Sequence, residues 1–145
     1  MQDDLALKVA RAFIEALPHA AALNLRLEEV RNGRAVIIMP YDARLVGDPA
    51  TGVLHGGAIS ALMDTASGAS VMCHPEAPVS TATLDLRIDY MRPATPGQAI
   101  TARAICHHVT RTVAFVRVTA TDEDESRPVA MGTGAFTVDR PRKKP

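Results

Sequence analysis

The sequence predicts an α+β domain in which a mostly antiparallel sheet of five or six strands wraps around one long, apolar helix. Residues 56–73 carry small and apolar side chains on most faces of a predicted helix, which we expect to be largely buried. Four segments rich in β-branched residues follow in succession between residues 79 and 138. Before the helix, an Asn-Gly dipeptide between two alternating segments predicts a β-hairpin. This order of elements is typical of a sheet packed against a central helix.

The N-terminal part of the chain predicts a helix followed by the hairpin. Apolar side chains recur at helical spacing through residues 3–17, and Pro18 ends this segment. Residues 23–31 alternate apolar and polar side chains. The dipeptide Asn32-Gly33 then forms a two-residue turn into residues 34–39, so we expect two antiparallel strands here.

The rest of the chain predicts one loop, the central helix and four strands. Residues 40–53 contain Pro, Gly, Asp and Thr without a period, which indicates a loop. The four strands are predicted at residues 79–91, 98–108, 112–121 and 128–138. Aromatic residues make up only 3% of the chain, so few large side chains can cover the edges and second face of the sheet. Association with a second copy is therefore expected.

Length and composition predict a single domain over residues 1–145, with an N-terminal helix at residues 1–18 and a frayed basic tail at residues 139–145. Lys and Arg together number 16, as do Asp and Glu, so the charge favours neither nucleic acid nor an acidic membrane as a partner. The start of the chain does not resemble a signal peptide, and no apolar run approaches the roughly 20 residues that span a bilayer. We expect a cytoplasmic protein.

The cysteine and histidine residues do not predict a metal site. Cys73 and Cys106 lack the spacing of a metal-binding pair and are expected to be reduced, buried thiols. His107 and His108 are adjacent on a predicted strand and point to opposite faces, which argues against a shared ion. We therefore expect neither a metal nor a cofactor.

A Gly-Gly pair at the start of the central helix and a carboxylate about two turns later are the strongest candidates for a functional site. Gly56 and Gly57 present backbone N–H groups at the positive end of the helix dipole, where an oxyanion can bind. Asp64 lies among small residues on an otherwise almost uncharged helix, where an unpaired buried carboxylate is costly. Close packing alone would explain the small residues but not the carboxylate. The pattern favours attack on an acyl group.

The residues that flank this helix leave alternative interpretations open. His55 can either cap the helix or take part in the site. Residues 81–90 alternate, and their polar face either meets solvent as weak ion pairs or lines a site or an interface. This polar face consists of Thr81, Thr83, Asp85, Arg87 and Asp89. Arg111, next to Thr112 in a predicted tight turn, fits either a phosphate contact or an ordinary surface arginine.

These residues resemble the signature of hotdog-fold acyl-CoA thioesterases of the phenylacetate-pathway (PaaI) type. The likeness is carried by Leu54-His55-Gly56-Gly57, with Asp64 nine positions after the histidine, and extends over about residues 23–138. Further segments that resemble the family are Gly47-Asp48-Pro49, Thr83 to Pro93 and Arg111 to Val116. The resemblance implies a long helix held by a curved antiparallel sheet. It also implies a homodimer or homotetramer with active sites at the subunit interface.

The resemblance further implies roles in the hydrolysis of an acyl- or aryl-CoA thioester to the free acid and coenzyme A. The Gly56 N–H would polarise the thioester carbonyl, and Asp64 from the second subunit would act as general base or as nucleophile. His55 would orient the thioester, and Thr83 would hold the attacking water or Asp64. Contacts with the substrate or its phosphates are expected from Gly57, Asp48, Arg92, Arg111 and Thr112. Position 48 departs from the family, which often has Asn there.

Two other functions are compatible with the same fold. A non-catalytic module that binds or senses acyl-CoA would hold the intact thioester without turnover. A hotdog-fold enoyl-CoA hydratase would need its own Asp/His pair on a loop and helix, and the sequence offers no such pair.

Overall fold

The computed structural model describes residues 2–142, which form three α-helices and eight strands. The helices are α1 (Gln2–Ala16), α2 (Pro18–Ala22) and α3 (Gly56–Met72). The main sheet consists of β1 (Arg26–Arg31), β2 (Arg34–Met39), β5 (Thr83–Tyr90), β6 (Ile100–Val109), β7 (Val113–Thr121) and β8 (Ala130–Thr137). A separate short pair consists of β3 (Val46–Asp48) and β4 (Val53–Leu54). Within this range, no helix combines the length and apolarity needed to cross a membrane.

The main sheet is antiparallel throughout, with the strand order β1-β2-β6-β7-β8-β5. Helix α3 contacts all six of these strands. The predicted α+β architecture, a long helix held by an antiparallel sheet of five or six strands, is therefore confirmed with six strands. Strand β5 lies at one edge, because it pairs with β8 alone among the described strands.

Helix α3 is central because apolar side chains cover most of its faces. Leu62, Met63 and Ala66 are fully buried, and so are Ile37 and Phe136 on the sheet. Burying a side chain of the size of leucine contributes about 1.5–3 kcal/mol. This layer therefore fixes α3 against the sheet and makes the helix a rigid base for any site on its surface.

The turn of the β1–β2 hairpin and the central helix lie where the sequence predicts them. The turn residues Asn32 and Gly33 have φ angles of 48° and 80°, which are typical of a type I′ turn and which asparagine and glycine tolerate. Helix α3 runs from Gly56 to Met72, and Cys73 is its C-cap.

Two predictions in the first half of the chain were wrong. Residues after Pro18 form α2, because proline is well suited to the first position of a helix, and β1 consequently begins at Arg26 rather than at residue 23. The expected loop at residues 40–53 contains strand β3 and the first residue of strand β4. Strands of two or three residues are too short to show a period in the sequence.

The segment before β5 is held by residues from the predicted tail. The Val79 N–H donates to the Asp139 carbonyl at 2.9 Å, and Arg140 donates to a carbonyl of the preceding loop at 2.9 Å. Ser80 forms an isolated antiparallel bridge with Asp139, and the continuous strand β5 begins at Thr83 rather than at residue 79. The last three residues of the predicted tail lie outside the described residues.

Helix α1 attaches to β1 through polar contacts and leaves apolar surface exposed. Arg11 Nε donates to the Leu27 carbonyl at 2.9 Å, and the Leu27 N–H donates to Glu15 Oε1 at 3.2 Å. These side chains satisfy backbone groups at an irregular point of the β1–β2 register. On the same helix, Val9 and Phe13 remain 63% and 68% exposed.

Candidate active site

Two glycines and a histidine shape the N-terminus of α3. His55 is the N-cap, and its Nδ1 accepts a hydrogen bond from the Gly57 N–H at 2.8 Å. A Cβ at Gly57 would lie 2.9 Å from that nitrogen, so glycine allows the ring to approach this closely. Because Nδ1 accepts, the neutral ring carries its proton on Nε2. The capping interpretation of His55 therefore applies, while its exposed Nε2–H can still meet a ligand.

Gly56, the first residue of α3, presents an N–H that this cap leaves free. Among residues 2–142 the Gly56 N–H has no hydrogen-bond partner. The Tyr90 ring lies against Gly56, since a Cβ there would be 3.3 Å from it, and the Tyr90 hydroxyl donates to the Gly56 carbonyl at 2.9 Å. The peptide unit that follows Gly56 is thus held in place, and one N–H at the positive end of the helix is available for a negatively charged oxygen.

Tyr90 and Ser60 were missed as members of this arrangement. A carbonyl only accepts, so Tyr90 donates its proton to Gly56 and receives the proton of the Ser60 hydroxyl. Alternation along residues 81–90 places Tyr90 on the face opposite the polar one, which is apolar. A tyrosine that ends such a face and needs a partner for its hydroxyl was the signal that could have identified it.

Asp64 lies two turns into α3 and is partly buried. Thr83 Oγ1 donates to Asp64 Oδ1 at 2.7 Å. Within residues 2–142, Oδ2 makes no hydrogen bond. One oxygen of the carboxylate is therefore anchored, and the other can accept a proton or attack a carbonyl carbon.

A β-bulge at the start of β5 brings Thr83 to this carboxylate. Thr83 and Asp85 pair with adjacent residues of β8, so Leu84 is an extra residue in the strand. Strict alternation placed Thr83 on the same face as Asp85, and that prediction was wrong. The bulge reverses the face, so Thr83 points to α3 while Asp85 remains exposed.

Asp64 and the Gly56 N–H lie far apart on one helix. Eight residues separate them, which corresponds to about 12 Å along the axis. A carbonyl group that contacts Asp64 therefore cannot also contact the Gly56 N–H of the same chain.

Asp64 and Thr83 lie in the wall of a cavity of about 520 Å³ between α1, α3 and the segment before β5. Much of the remaining wall is apolar and includes Phe13 and Met72. A smaller cavity of about 320 Å³ adjoins the start of α3 and includes His55 in its wall. Both ends of the candidate site are therefore open to a ligand.

Three of the predicted substrate contacts lie apart from Asp64. The Asp48 carboxylate accepts from the Ala50 N–H at 3.0 Å and the Thr51 hydroxyl at 2.8 Å, so it shapes the turn between β3 and β4. Arg111 and Thr112 are exposed in the β6–β7 turn. Their contacts with substrate stay predictions. In the described part of the chain, no three His, Cys, Asp or Glu side chains converge to hold a metal ion.

Arg92 is committed to partners inside the protein. It forms two hydrogen bonds of 2.7 Å with the buried Asp122 carboxylate and further bonds to the Pro93 and Arg127 carbonyls. These five bonds occupy all five N–H donors of the guanidinium. Arg92 also holds the pKa of Asp122 well below its usual range, mainly through these hydrogen bonds. The predicted contact of Arg92 with a CoA phosphate has no free donor in this geometry.

Comparison with known proteins identifies the family. Residues 51–129 match the model of the thioesterase superfamily. The medium/long-chain acyl-CoA thioesterase YigI of Salmonella typhimurium is 31% identical over 143 residues, covering 90% of this chain and 91% of that protein. A solved structure of a Pseudomonas aeruginosa protein is 41% identical with a TM-score of 0.79, covering 90% and 97% of the two chains. A variant of the phenylacetic acid degradation protein PaaI from Thermus thermophilus is 30% identical with a TM-score of 0.74, covering 84% and 99%.

The chain belongs to the thioesterase superfamily, as a hotdog-fold acyl-CoA thioesterase of the PaaI type. The resemblance drawn from the His-Gly-Gly…Asp pattern is confirmed, and so is the class of thioester hydrolase. The matched region starts just before α3 and includes Gly56, Asp64 and Thr83.

Proposed function

We propose that the chain hydrolyses acyl- or aryl-CoA thioesters at a site shared by two copies, with Asp64 from one copy and the Gly56 N–H from the other. The observation that carries this proposal is the separation of the two groups, about 12 Å along α3. Each group is prepared for one half of the reaction, since Asp64 has a free oxygen and Gly56 a free N–H. A second α3 in antiparallel orientation would bring the two halves together.

In the general-base form of the reaction, Asp64 Oδ2 removes a proton from water while the water oxygen attacks the thioester carbonyl carbon. The carbonyl oxygen becomes negatively charged and accepts a hydrogen bond from the Gly56 N–H. When the tetrahedral intermediate collapses, the C–S bond breaks, and the leaving coenzyme A thiolate takes up the proton that Asp64 removed from water, which regenerates the carboxylate. This proposed sequence requires a base and an oxyanion donor, and neither role calls for a metal or a cofactor.

In the nucleophile form, Asp64 Oδ2 itself attacks the carbonyl carbon and expels the thiolate. The acyl group is then bound to the carboxylate as a mixed anhydride. Water then hydrolyses this mixed anhydride and regenerates Asp64. Mass spectrometry of rapidly quenched single turnovers distinguishes the two forms, because an acylated peptide that contains Asp64 accumulates only in the nucleophile form.

The role of the Gly56 N–H can be tested without removing the helix start. Gly56→Pro deletes the N–H at a helical position that proline favours. Gly56→Ala introduces the same Cβ beside the Tyr90 ring but keeps the N–H, and so serves as the matched control. Because one oxyanion donor is lost, we expect kcat for acyl-CoA hydrolysis to fall about 100- to 1000-fold in Gly56→Pro, and far less in Gly56→Ala. Equal losses in the two variants would contradict the assignment.

Asp64→Asn tests the carboxylate in the same assay of acyl- and aryl-CoA substrates. The amide keeps the size of the side chain and an acceptor for Thr83 but cannot take the proton of water. We expect hydrolysis to fall to the background rate. Full activity of this variant, or no hydrolysis by the wild type, would overturn the proposal. Tight binding of intact acyl-CoA by an inactive wild type would instead support the binding module, and water addition to an enoyl-CoA would support the hydratase.

We further propose a cytoplasmic homodimer or homotetramer as the working form. The exposed edge of β5 supports the dimer, because an unpaired strand edge is a ready surface for a second copy. Cys73 and Cys106 are free thiols, which is typical of a reducing compartment.

A further inference from the structure

The cavity beside Asp64 extends well beyond the space that an attacking water needs. Its volume is about 520 Å³. Four hydroxyl groups in its wall donate to acceptors of the protein and are thereby satisfied: those of Thr65, Ser80, Thr81 and Thr83. Asp64 Oδ2 remains as a polar atom available to a ligand, and the neighbouring apolar wall suits a hydrocarbon group.

Gly68 is a glycine that neither the backbone nor the packing of α3 requires. It lies one turn after Asp64 on the same face of the helix and lines the same cavity. A Cβ at Gly68 would meet no atom within 4 Å, whereas one at Gly132 or Gly134 would lie about 3 Å from a backbone oxygen. Glycine in a helix interior is destabilising relative to alanine. The effect of Gly68 in this structure is to keep the space beside Asp64 open.

The size of the cavity favours an aliphatic chain over a single ring. An apolar cavity of roughly 150 Å³ is sufficient to hold benzene. The cavity of about 520 Å³ would remain mostly empty around one phenyl group. It extends from Asp64 towards the apolar residues Phe13 of α1 and Met72 of α3, which gives a long hydrocarbon continuous contact.

We propose that Gly68 determines how long an aliphatic acyl chain this cavity accepts, and that α1 forms the outer wall of the cavity. The inference rests on the proposed function, because it places the thioester carbonyl at Asp64. It assigns to Gly68 and Phe13 a role in specificity and no role in the chemical step.

The experiment compares butanoyl-, octanoyl-, dodecanoyl- and phenylacetyl-CoA as substrates of the wild type, Gly68→Ala and Gly68→Leu. We expect kcat/KM of the wild type to be highest for octanoyl- or dodecanoyl-CoA. Gly68→Leu fills the cavity, so its kcat/KM for dodecanoyl-CoA should fall about tenfold or more while butanoyl-CoA is hydrolysed as before. Gly68→Ala should show a smaller loss of kcat/KM for dodecanoyl-CoA together with a higher melting temperature. The higher melting temperature would show that the loss in this variant does not come from unfolding.

Two exposed side chains of α1 provide a matched pair for the outer wall. Phe13 lines the cavity and is 68% exposed, whereas Val9 is 63% exposed and is not part of the wall. Phe13→Ala should raise the KM for dodecanoyl-CoA several-fold and leave that for butanoyl-CoA unchanged. Val9→Ala should change neither value, and equal effects of both variants would contradict a wall formed by α1.

The outcomes separate this inference from the proposed function. If the wild type hydrolyses thioesters but Gly68→Leu lowers kcat/KM equally for all substrates, or for none of them, the inference is overturned and the proposed function stands. If the wild type hydrolyses none of the thioesters, the binding of dodecanoyl-CoA is measured by calorimetric titration. Binding by the wild type that is lost in Gly68→Leu would support the acyl cavity without supporting the proposed function. A change of oligomeric state in Gly68→Leu with an unaltered substrate profile would mean that a second copy fills the cavity, which also overturns the inference.

Discussion

A single hydrogen bond determines how the Asp64 carboxylate can meet a ligand. Thr83 Oγ1 anchors Oδ1 at 2.7 Å, and this leaves Oδ2 as the reactive atom in the proposed mechanism. Hydrogen bonds to a charged group are stronger than those between neutral groups. We therefore regard Thr83 as a positioning residue that restricts the rotation of the carboxylate.

Replacing Thr83 separates this role from packing. Thr83→Val keeps the shape of the side chain but removes the hydroxyl, whereas Thr83→Ser keeps the hydroxyl. We expect kcat for acyl-CoA hydrolysis to fall on the order of tenfold in Thr83→Val, because a hydrogen bond to a charged group contributes about 1.5–3 kcal/mol. KM should change little, and Thr83→Ser should retain most of the activity. A loss of the same size in the serine variant would mean that the hydroxyl is not what matters.

The sequence was informative about site residues that are close together in the chain. His55, Gly56 and Asp64 lie on or beside one helix, so their spacing alone indicates how they are placed along it. The orientation of Thr83 could not be predicted, because the bulge at Leu84 depends on how β5 pairs with a strand that follows much later.

Among the connecting elements, the loops at the Tyr90 end of the sheet are joined by a buried ion pair. Arg92 follows β5, and Asp122 lies between β7 and β8. Their side chains are 17% and 0% exposed, and the Thr95 hydroxyl donates to the same carboxylate at 2.9 Å. Removing one partner of a buried pair leaves an uncompensated charge, so the pair matters for the stability of these loops.

This pair makes a testable contribution to stability against acid. Because the pKa of Asp122 is lowered in the folded state, its contribution is present above the pKa of an unfolded aspartate, about 3.9, and is lost as the pH falls below that value. We expect Asp122→Asn to lower the melting temperature at pH 7. Between about pH 4 and pH 2, the melting temperature of this variant should decline less steeply than that of the wild type.

The exposed pair of Asp4 and Lys8 provides the control for this measurement. The side chains of the pair are 67% and 66% exposed, and exposed pairs contribute little to stability. Asp4→Asn should therefore leave the melting curve unchanged at both ends of the pH range. An Asp122→Asn variant that melts like the wild type at pH 7 would show that the buried pair does not stabilise the fold.

Long elements and elements whose partners lie nearby in the sequence could be predicted, whereas short elements and contacts between distant residues could not. Helix α3 and the turn of the β1–β2 hairpin were predicted well, because periods and turn residues are local signals. The short strands β3 and β4 carry no period, and the Arg92–Asp122 pair joins residues 30 positions apart, so a single sequence gives no sign of either.

At the scale of the whole molecule, the proposed mechanism gives each chain two incomplete halves of a site. Strand β5 carries Thr83 at one end and Tyr90 at the other, and each contacts a different half of the site on α3. The same strand is an edge of the sheet. A second copy that pairs along this edge in antiparallel orientation would align the Asp64 half of one helix with the Gly56 half of the other.

Mixing two impaired variants tests whether the site is shared. Asp64→Asn and Gly56→Pro each damage a different half, so a mixed dimer contains one site with both defects and one intact site. If the subunits exchange freely, half of the dimers are mixed, and the mixture should recover roughly a quarter of the wild-type activity. Either variant alone, incubated in the same way, should show only its own residual activity. If each chain carried its own complete site, the mixture would show no more activity than the sum of its parts, while analytical ultracentrifugation confirms that dimers are present.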